Sequence, residues 1–177
     1  MIVTTEHNQT TISKKVSLEG VGLHTGKDVT LTFVPSNADS GYIFKRVDLE
    51  NSPTMKADIK YVSSTDRGTC LNKNGFTIQT CEHVLAALVG SEIDNVIIEL
   101  NQSEPPIMDG SAKFFVDALE KAGVKYLDSK RKEFIVKKVI SLKDEDTGSE
   151  IMVLPAKNYK VTTMVDFGTK ILGTQNA

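Results

Sequence analysis

Hydrophobic and polar residues alternate along several short segments of the chain, and this period of two predicts β-strands. The clearest alternation covers residues 29–34 and ends at Pro35, a pattern typical of a half-buried strand. Residues 72–75, Asn-Lys-Asn-Gly, indicate a hairpin turn. Other predicted strands cover residues 10–17, 41–46, 54–62, 69–71, 76–79 and 95–100.

The apolar run at residues 84–89 departs from this alternation. It is closed by Gly90, and its length and helix breaker predict a short buried helix. Thr80 is the predicted N-cap, which places Glu82 and His83 in the first turn, near the positive end of the helix dipole.

A second helix is predicted at residues 111–122, where apolar residues recur with helical spacing. Ser111 is the candidate cap, and Gly123 is the predicted stop. We expect Phe114 and Phe115 to belong to the core rather than to a ligand site.

The last third of the chain predicts strands without helices. The charged residues 128–133 indicate a linker. Three antiparallel strands are then predicted at residues 134–142, 150–154 and 159–167, with a turn at 146–148. Three strands with no covering layer leave one apolar face bare. We therefore expect a fragment, with a complete first domain at residues 1–128 and an incomplete second domain at 129–177.

Composition narrows the class of protein. The 177 residues are 40% hydrophobic and 25% charged, as in ordinary soluble globular proteins. A net charge of −2 with mixed signs gives no electrostatic basis for binding nucleic acid. No apolar run approaches the ~20 residues that cross a bilayer, and the polar start lacks a signal-peptide core. We expect a cytoplasmic protein in which Cys70 and Cys81 are both reduced.

The adjacent residues Glu82 and His83 are the strongest candidates for chemistry. An imidazole can bind a metal ion, and a neighbouring carboxylate can accept a proton from water. The alternative is a solvated helix start without function. The zinc-protease motif His-Glu-x-x-His is absent, and its inverted form would need histidine in place of Gln79.

Three further motifs accompany this pair. They are residues 20–26, Gly-Val-Gly-Leu-His-Thr-Gly; residues 93–99, Ile-Asp-Asn-Val-Ile-Ile-Glu; and residues 105–112, Pro-Pro-Ile-Met-Asp-Gly-Ser-Ala. With Glu82 and His83 between the first and second motifs, the chain resembles the amino-terminal half of the UDP-3-O-acyl-N-acetylglucosamine deacetylases. These enzymes are the zinc amidases of early lipid A synthesis.

The resemblance implies an α+β fold of two similar domains, each a mainly antiparallel sheet with helices on one face. It implies Zn²⁺ as cofactor and a UDP-sugar lipid, UDP-3-O-(3-hydroxyacyl)-N-acetylglucosamine, as the substrate that loses acetate. It assigns Glu82 as general base and His83 as zinc ligand. Family members take the other zinc ligands, a histidine and an aspartate, from the second domain, beyond this chain.

The resemblance also indicates residues near the substrate. His24 is implied to lie near the active-site cavity, although a structural role in its glycine-rich turn is the alternative. Thr69 and Cys70 match the loop that borders the substrate. Asp109 either lines the site or belongs to a turn before the second helix.

Two rival interpretations stay open at this stage. The chain could be a catalytically dead truncated domain, or a small binding module that uses its sheet surface or its glycine-rich turn. Because the helices of the two family domains pack together, we also expect the apolar side chains of Val84, Leu85 and Leu88 to lack their cover.

Overall fold

The computed structural model describes all residues, Met1–Ala177. The chain divides into two compact units, Thr5–Arg131 and a unit formed by Met1–Thr4 with Lys132–Ala177. A 3-10 turn covers Ile59–Tyr61. The other elements, in chain order, are β1 (Ile2–Ile12), β2 (Val16–Val21), β3 (Asp28–Pro35), β4 (Tyr42–Arg46), β5 (Thr54–Lys56), β6 (Val62–Ser64), β7 (Cys70–Lys73), β8 (Phe76–Ile78), α1 (Glu82–Gly90), β9 (Val96–Leu100), α2 (Lys113–Ala122), β10 (Val124–Phe134), β11 (Ile140–Lys143), β12 (Glu150–Val153), β13 (Met164–Asp166) and β14 (Thr174–Asn176).

A five-stranded sheet in the order β2-β3-β9-β4-β5 forms the framework of the larger unit. Neighbouring strands within this sheet are antiparallel, except that β4 and β9 are parallel. Alternation along the strands gathers the apolar residues on one face, since Leu31 pairs with Leu100, and both Phe33 and Phe44 pair with Ile98. All five side chains are fully buried.

Both helices contribute to the core that covers this apolar face. The buried positions are Val84, Ala87 and Leu88 on α1, and Phe115, Ala118, Leu119 and Ala122 on α2. These spacings of three and four residues place one stripe of each helix inward. The predicted α+β class is confirmed. Neither helix has the length and apolar character needed to cross a membrane.

Two expectations about core side chains need correction. Val84 and Leu88 are fully buried and Leu85 is partly buried, because all three pack in the core that the sheet and α2 share, while Val89 is the exposed large hydrophobic residue of that helix. Phe115 lies in the core as predicted, but Phe114 is exposed because it lies on the outer face of α2.

The predicted cap of α1 is wrong. Cys81 holds the N-cap position and makes no side-chain capping bond. The Thr80 hydroxyl instead donates to Oε1 of Glu104 at 2.8 Å. For α2, Ala112 rather than Ser111 is the N-cap residue. Gly123 ends α2 as predicted, with a left-handed φ of 71°.

The small sheet β6-β7-β8 carries the predicted hairpin turn. Asn74 and Gly75 both have positive φ angles, 53° and 80°. Two left-handed residues in succession are what a tight type I′ turn requires, and Asn-Gly supplies them at low cost. This hairpin fixes the position of β7, which follows the loop that reaches Glu82.

The predicted linker at residues 128–133 is wrong, because these residues lie inside β10, which pairs with β1. Their charges have partners: Arg131 forms an ion pair with Asp94 at 3.0 Å, and Lys130 donates to the Glu6 carbonyl. The strand predicted at residues 10–17 is also interrupted, since β1 ends at Ile12 and β2 begins at Val16.

The carboxyl-terminal segment forms two separate strand pairs, β11 with β12 and β13 with β14. The predicted turn at residues 146–148 is confirmed, and Gly148 adopts a φ of 71°. The third predicted strand is shorter than expected, since β13 covers Met164–Asp166. Every residue of these four strands is exposed, including the apolar side chains of Leu142 and Ile151.

Candidate active site

Glu82 and His83 occupy the first turn of α1, on the rim of the larger unit. Oε2 of Glu82 accepts the backbone N–H of Thr69 at 2.9 Å. Oε1 lies 3.9 Å from Nε2 of His83. The side chains of Glu82 and His83 are 38% and 31% exposed. One carboxylate oxygen is therefore anchored, while the other stays open beside a partly exposed imidazole.

The loop before β7 packs closely on this helix start. An added Cβ at Gly68 would lie 3.2 Å from Oε1 of Glu82 and 3.4 Å from the Thr80 hydroxyl. The Thr69 carbonyl accepts the backbone N–H of Cys81 at 3.4 Å. Thr69 thus bonds to both Cys81 and Glu82 at the start of α1, and the small size of Gly68 permits this approach.

His24 contacts the same loop through its ring. Its ring Nε2 lies 3.3 Å from the Arg67 carbonyl oxygen. A carbonyl oxygen can only accept, so Nε2 carries the proton in this contact. The structure therefore brings His24, Thr69 and Glu82 into one connected cluster.

A buried glutamate that the sequence analysis missed holds this cluster together. Glu104 is fully buried and accepts the backbone N–H groups of Thr25 at 2.9 Å and His24 at 3.1 Å, as well as the Thr80 hydroxyl. Burial acts to raise the pKa of Glu104, but these hydrogen bonds outweigh it and hold the pKa below its usual value. The sequence marks Glu104 in one way only, because it is the one charged residue within residues 100–108.

The remaining predicted site residues lie outside this cluster of contacts. Asp109 accepts the backbone N–H of Ser111 at 2.9 Å and the Ser111 hydroxyl at 2.7 Å, and the hydroxyl and amide lower its pKa. These are the contacts of the turn-and-cap alternative. Cys70 is half-buried at the start of β7. No contact joins either residue to Glu82.

Cys81 is a structural thiol rather than a ligand or nucleophile. Its side chain is fully buried and donates to the Thr69 carbonyl at 3.4 Å. Burial first, with the nearby Glu82 charge second, raises the pKa of Cys81 to about 12. A thiol with that pKa stays protonated at neutral pH and is a poor metal ligand.

The chain contains no group of three or more histidine, cysteine, aspartate or glutamate side chains placed to hold one metal ion. His83 fits as a single ligand, because its ring is partly exposed and takes part in no hydrogen bond within the chain. A catalytic zinc usually has three protein ligands. The residues present therefore fit part of a zinc site.

Comparison with protein families identifies the family of this chain. Residues 9–177 match the UDP-3-O-acyl N-acetylglycosamine deacetylase family. The chain belongs to this family. A bifunctional enzyme LpxC/FabZ from Bacteroides thetaiotaomicron is 42% identical over 169 residues, which cover 96% of this chain and 37% of that protein. UDP-3-O-acyl-N-acetylglucosamine deacetylases from Geotalea uraniireducens and Myxococcus xanthus are 39% and 37% identical, over 94% and 96% of this chain.

The chain of this deacetylase-family protein is shorter than those relatives. It spans 54% of the length of the Geotalea and Myxococcus proteins and 37% of the length of the bifunctional protein. The recognised family and the cluster around Glu82 lie on the same part of the chain, since residues 9–177 include every residue of that cluster.

Proposed function

We propose that the full-length protein is a zinc-dependent deacetylase of lipid A biosynthesis. It would hydrolyse the N-acetyl amide of UDP-3-O-(3-hydroxyacyl)-N-acetylglucosamine and release acetate, in the cytoplasm. Family membership supports the reaction class, and the names of the Geotalea and Myxococcus relatives support the substrate class.

Glu82 is the proposed general base. The Thr69 N–H holds Oε2, so Oε1 remains to accept the proton of the attacking water. A carboxylate fixed by one oxygen keeps its orientation, and it loses no hydrogen bond when the other oxygen takes a proton. This single contact between Thr69 and Glu82 is the structural observation that carries the proposal.

His83 is the proposed zinc ligand within this chain. Zinc would act as a Lewis acid on the amide carbonyl and make the attacking water more acidic. His83 would contribute neutral imidazole, and its position beside Glu82 places the ligand and the base at one helix start. The remaining ligands would come from the rest of the protein.

The boundary between the domains is also a proposal. We assign residues 1–128 to the first deacetylase domain and 129–177 to the start of the second. The exposed apolar side chains of Leu142, Ile151 and Met164 support this assignment, since strand pairs with such side chains need a covering layer.

The proposal is tested by assaying the purified full-length protein with the acylated UDP-sugar and zinc. We expect one acetate and one free amine for each substrate consumed. UDP-N-acetylglucosamine without the acyl chain is the matched control and should react far more slowly. A zinc-loaded protein that releases no acetate from the acylated substrate would favour the inactive or binding-module alternatives.

A further inference from the structure

Glu104 is the one fully buried acidic side chain of the chain, and its hydrogen bonds go to neither Glu82 nor His83. Burying a carboxylate is costly unless donors replace the lost water. Its donors come from two places, the glycine-rich turn and the residue two positions before Glu82. We propose that Glu104 is a positioning residue that fixes the Glu82 carboxylate from both directions, an inference that rests on the proposed function.

The first route runs through Thr80. Its hydroxyl donates to Oε1 of Glu104 at 2.8 Å, and its φ is 50°. A left-handed conformation is unfavourable for a β-branched residue and persists where surrounding contacts enforce it. Because α1 begins two residues later without a side-chain cap, the bond to Glu104 sets where the helix starts and where Glu82 points.

The second route runs through the turn that contains His24. Glu104 accepts the His24 N–H, and the His24 ring meets the carbonyl of Arg67 at 3.3 Å. Two residues further along that loop, Thr69 donates to Oε2 of Glu82. Both routes therefore lead to the Glu82 carboxylate. The first acts through the start of α1, and the second acts through the Thr69 N–H that holds Oε2.

The turn is shaped to fit Glu104. An added Cβ at Gly22 would clash first with the Thr25 hydroxyl and would also lie 2.6 Å from Oε2 of Glu104, closer than side chains approach in proteins. Glycine at this position thus allows the backbone of the turn to surround the carboxylate. This close fit gives the glycine-rich motif a role in holding Glu104 rather than in binding a ligand.

Thr80→Val in the full-length protein is the direct test. Valine has the shape of threonine and bears the same left-handed strain, so the variant removes the hydroxyl alone. We expect kcat to fall about tenfold or more while KM stays within about twofold of the wild-type value. A misoriented base stabilises the transition state less but leaves substrate binding unchanged. Thr80→Ser keeps the hydroxyl and should restore kcat.

Thr10→Val is the matched control. Thr10 is about equally buried, 4% exposed against 6% for Thr80, and its hydroxyl donates to the Glu92 carbonyl at 2.5 Å. Its loss should lower the unfolding temperature to a similar extent but leave kcat unchanged. This comparison separates positioning of Glu82 from general stabilisation.

The possible outcomes are distinguishable. A low kcat for Thr80→Val, restored by Thr80→Ser and absent in Thr10→Val, supports the role of Glu104. An active wild type with equal kcat in Thr80→Val overturns this inference alone, as does an equal loss in both valine variants. A folded, zinc-loaded wild type without activity overturns the proposed function and this inference with it.

Discussion

Thr69 donates its backbone N–H to Oε2 of Glu82 at 2.9 Å, while Oε1 of the same carboxylate faces Nε2 of His83 at 3.9 Å. The two oxygens of Glu82 therefore have different surroundings. The hydrogen bond from the backbone amide to one oxygen fixes the orientation of the carboxylate, and the oxygen without a hydrogen bond can accept a proton.

If Glu82 is the general base, Gly68→Ala should lower kcat of the full-length protein about tenfold, because a small displacement of a catalytic group has a large effect on rate. The added methyl would lie 3.2 Å from Oε1 of Glu82, so the carboxylate or the loop must move by a few tenths of an ångström. Gly75→Ala is the control, since it also has a positive φ but has no atom within 4 Å of the added Cβ. Steady-state kinetics with equal rates in both variants would contradict the predicted fit of the loop.

Leu88→Ala should destabilise the protein by about 2–5 kcal/mol, the usual range for a buried leucine. Leu88 is fully buried, whereas its neighbour Val89 is about half exposed at 51%. Val89→Ala should therefore change the unfolding free energy by only about 0.5 kcal/mol. Urea unfolding of the full-length variants measures both, and a neutral Leu88→Ala would show that Leu88 does not lie in the core as described.

The strand at residues 29–34 was predictable because its alternation reflects burial of one face only. The structure extends that strand to Asp28–Pro35, with Val29, Leu31 and Phe33 inward. Local pattern was sufficient here, since both the buried face and the terminating proline are encoded within the segment itself.

The segment at residues 128–133 shows why local pattern fails elsewhere. Its charges predicted a linker, but Arg131 pairs with Asp94 and the strand pairs with β1, far away in sequence. Thr80 failed as a cap for the same reason, since its hydroxyl bonds to Glu104. Glu104 itself lies in no periodic segment, so only the folded structure shows its three donors.

Glu104 should make the free energy of unfolding depend on pH in the acidic range. Hydrogen bonds hold its pKa below the ordinary value despite burial, so the folded state binds its proton less readily than the unfolded state. Its contribution is present above pH ~4.3, the usual pKa of glutamate, and is lost as pH falls through the folded-state pKa. The difference in unfolding free energy between wild type and Glu104→Gln should shrink as pH falls from 7 to 3. A constant difference across that range would contradict the prediction.

The 177-residue chain alone should show no deacetylase activity with added zinc. His83 is the one ligand that it contributes to the proposed zinc site, and catalytic zinc normally has three protein ligands. Acetate release above the protein-free blank, with one tightly bound zinc per chain, would contradict this prediction. Circular dichroism on the same sample verifies that the chain is folded during the assay.

Zinc content and turnover, measured together on full-length wild type, His83→Ala and Glu82→Gln, test the central claim most directly. The account predicts that His83→Ala loses both zinc and activity. Glu82→Gln should retain about one zinc per protein while kcat falls at least about hundredfold, the scale of general-base catalysis. Full zinc occupancy in His83→Ala, or wild-type turnover in Glu82→Gln, would contradict the assignment of these two neighbouring residues.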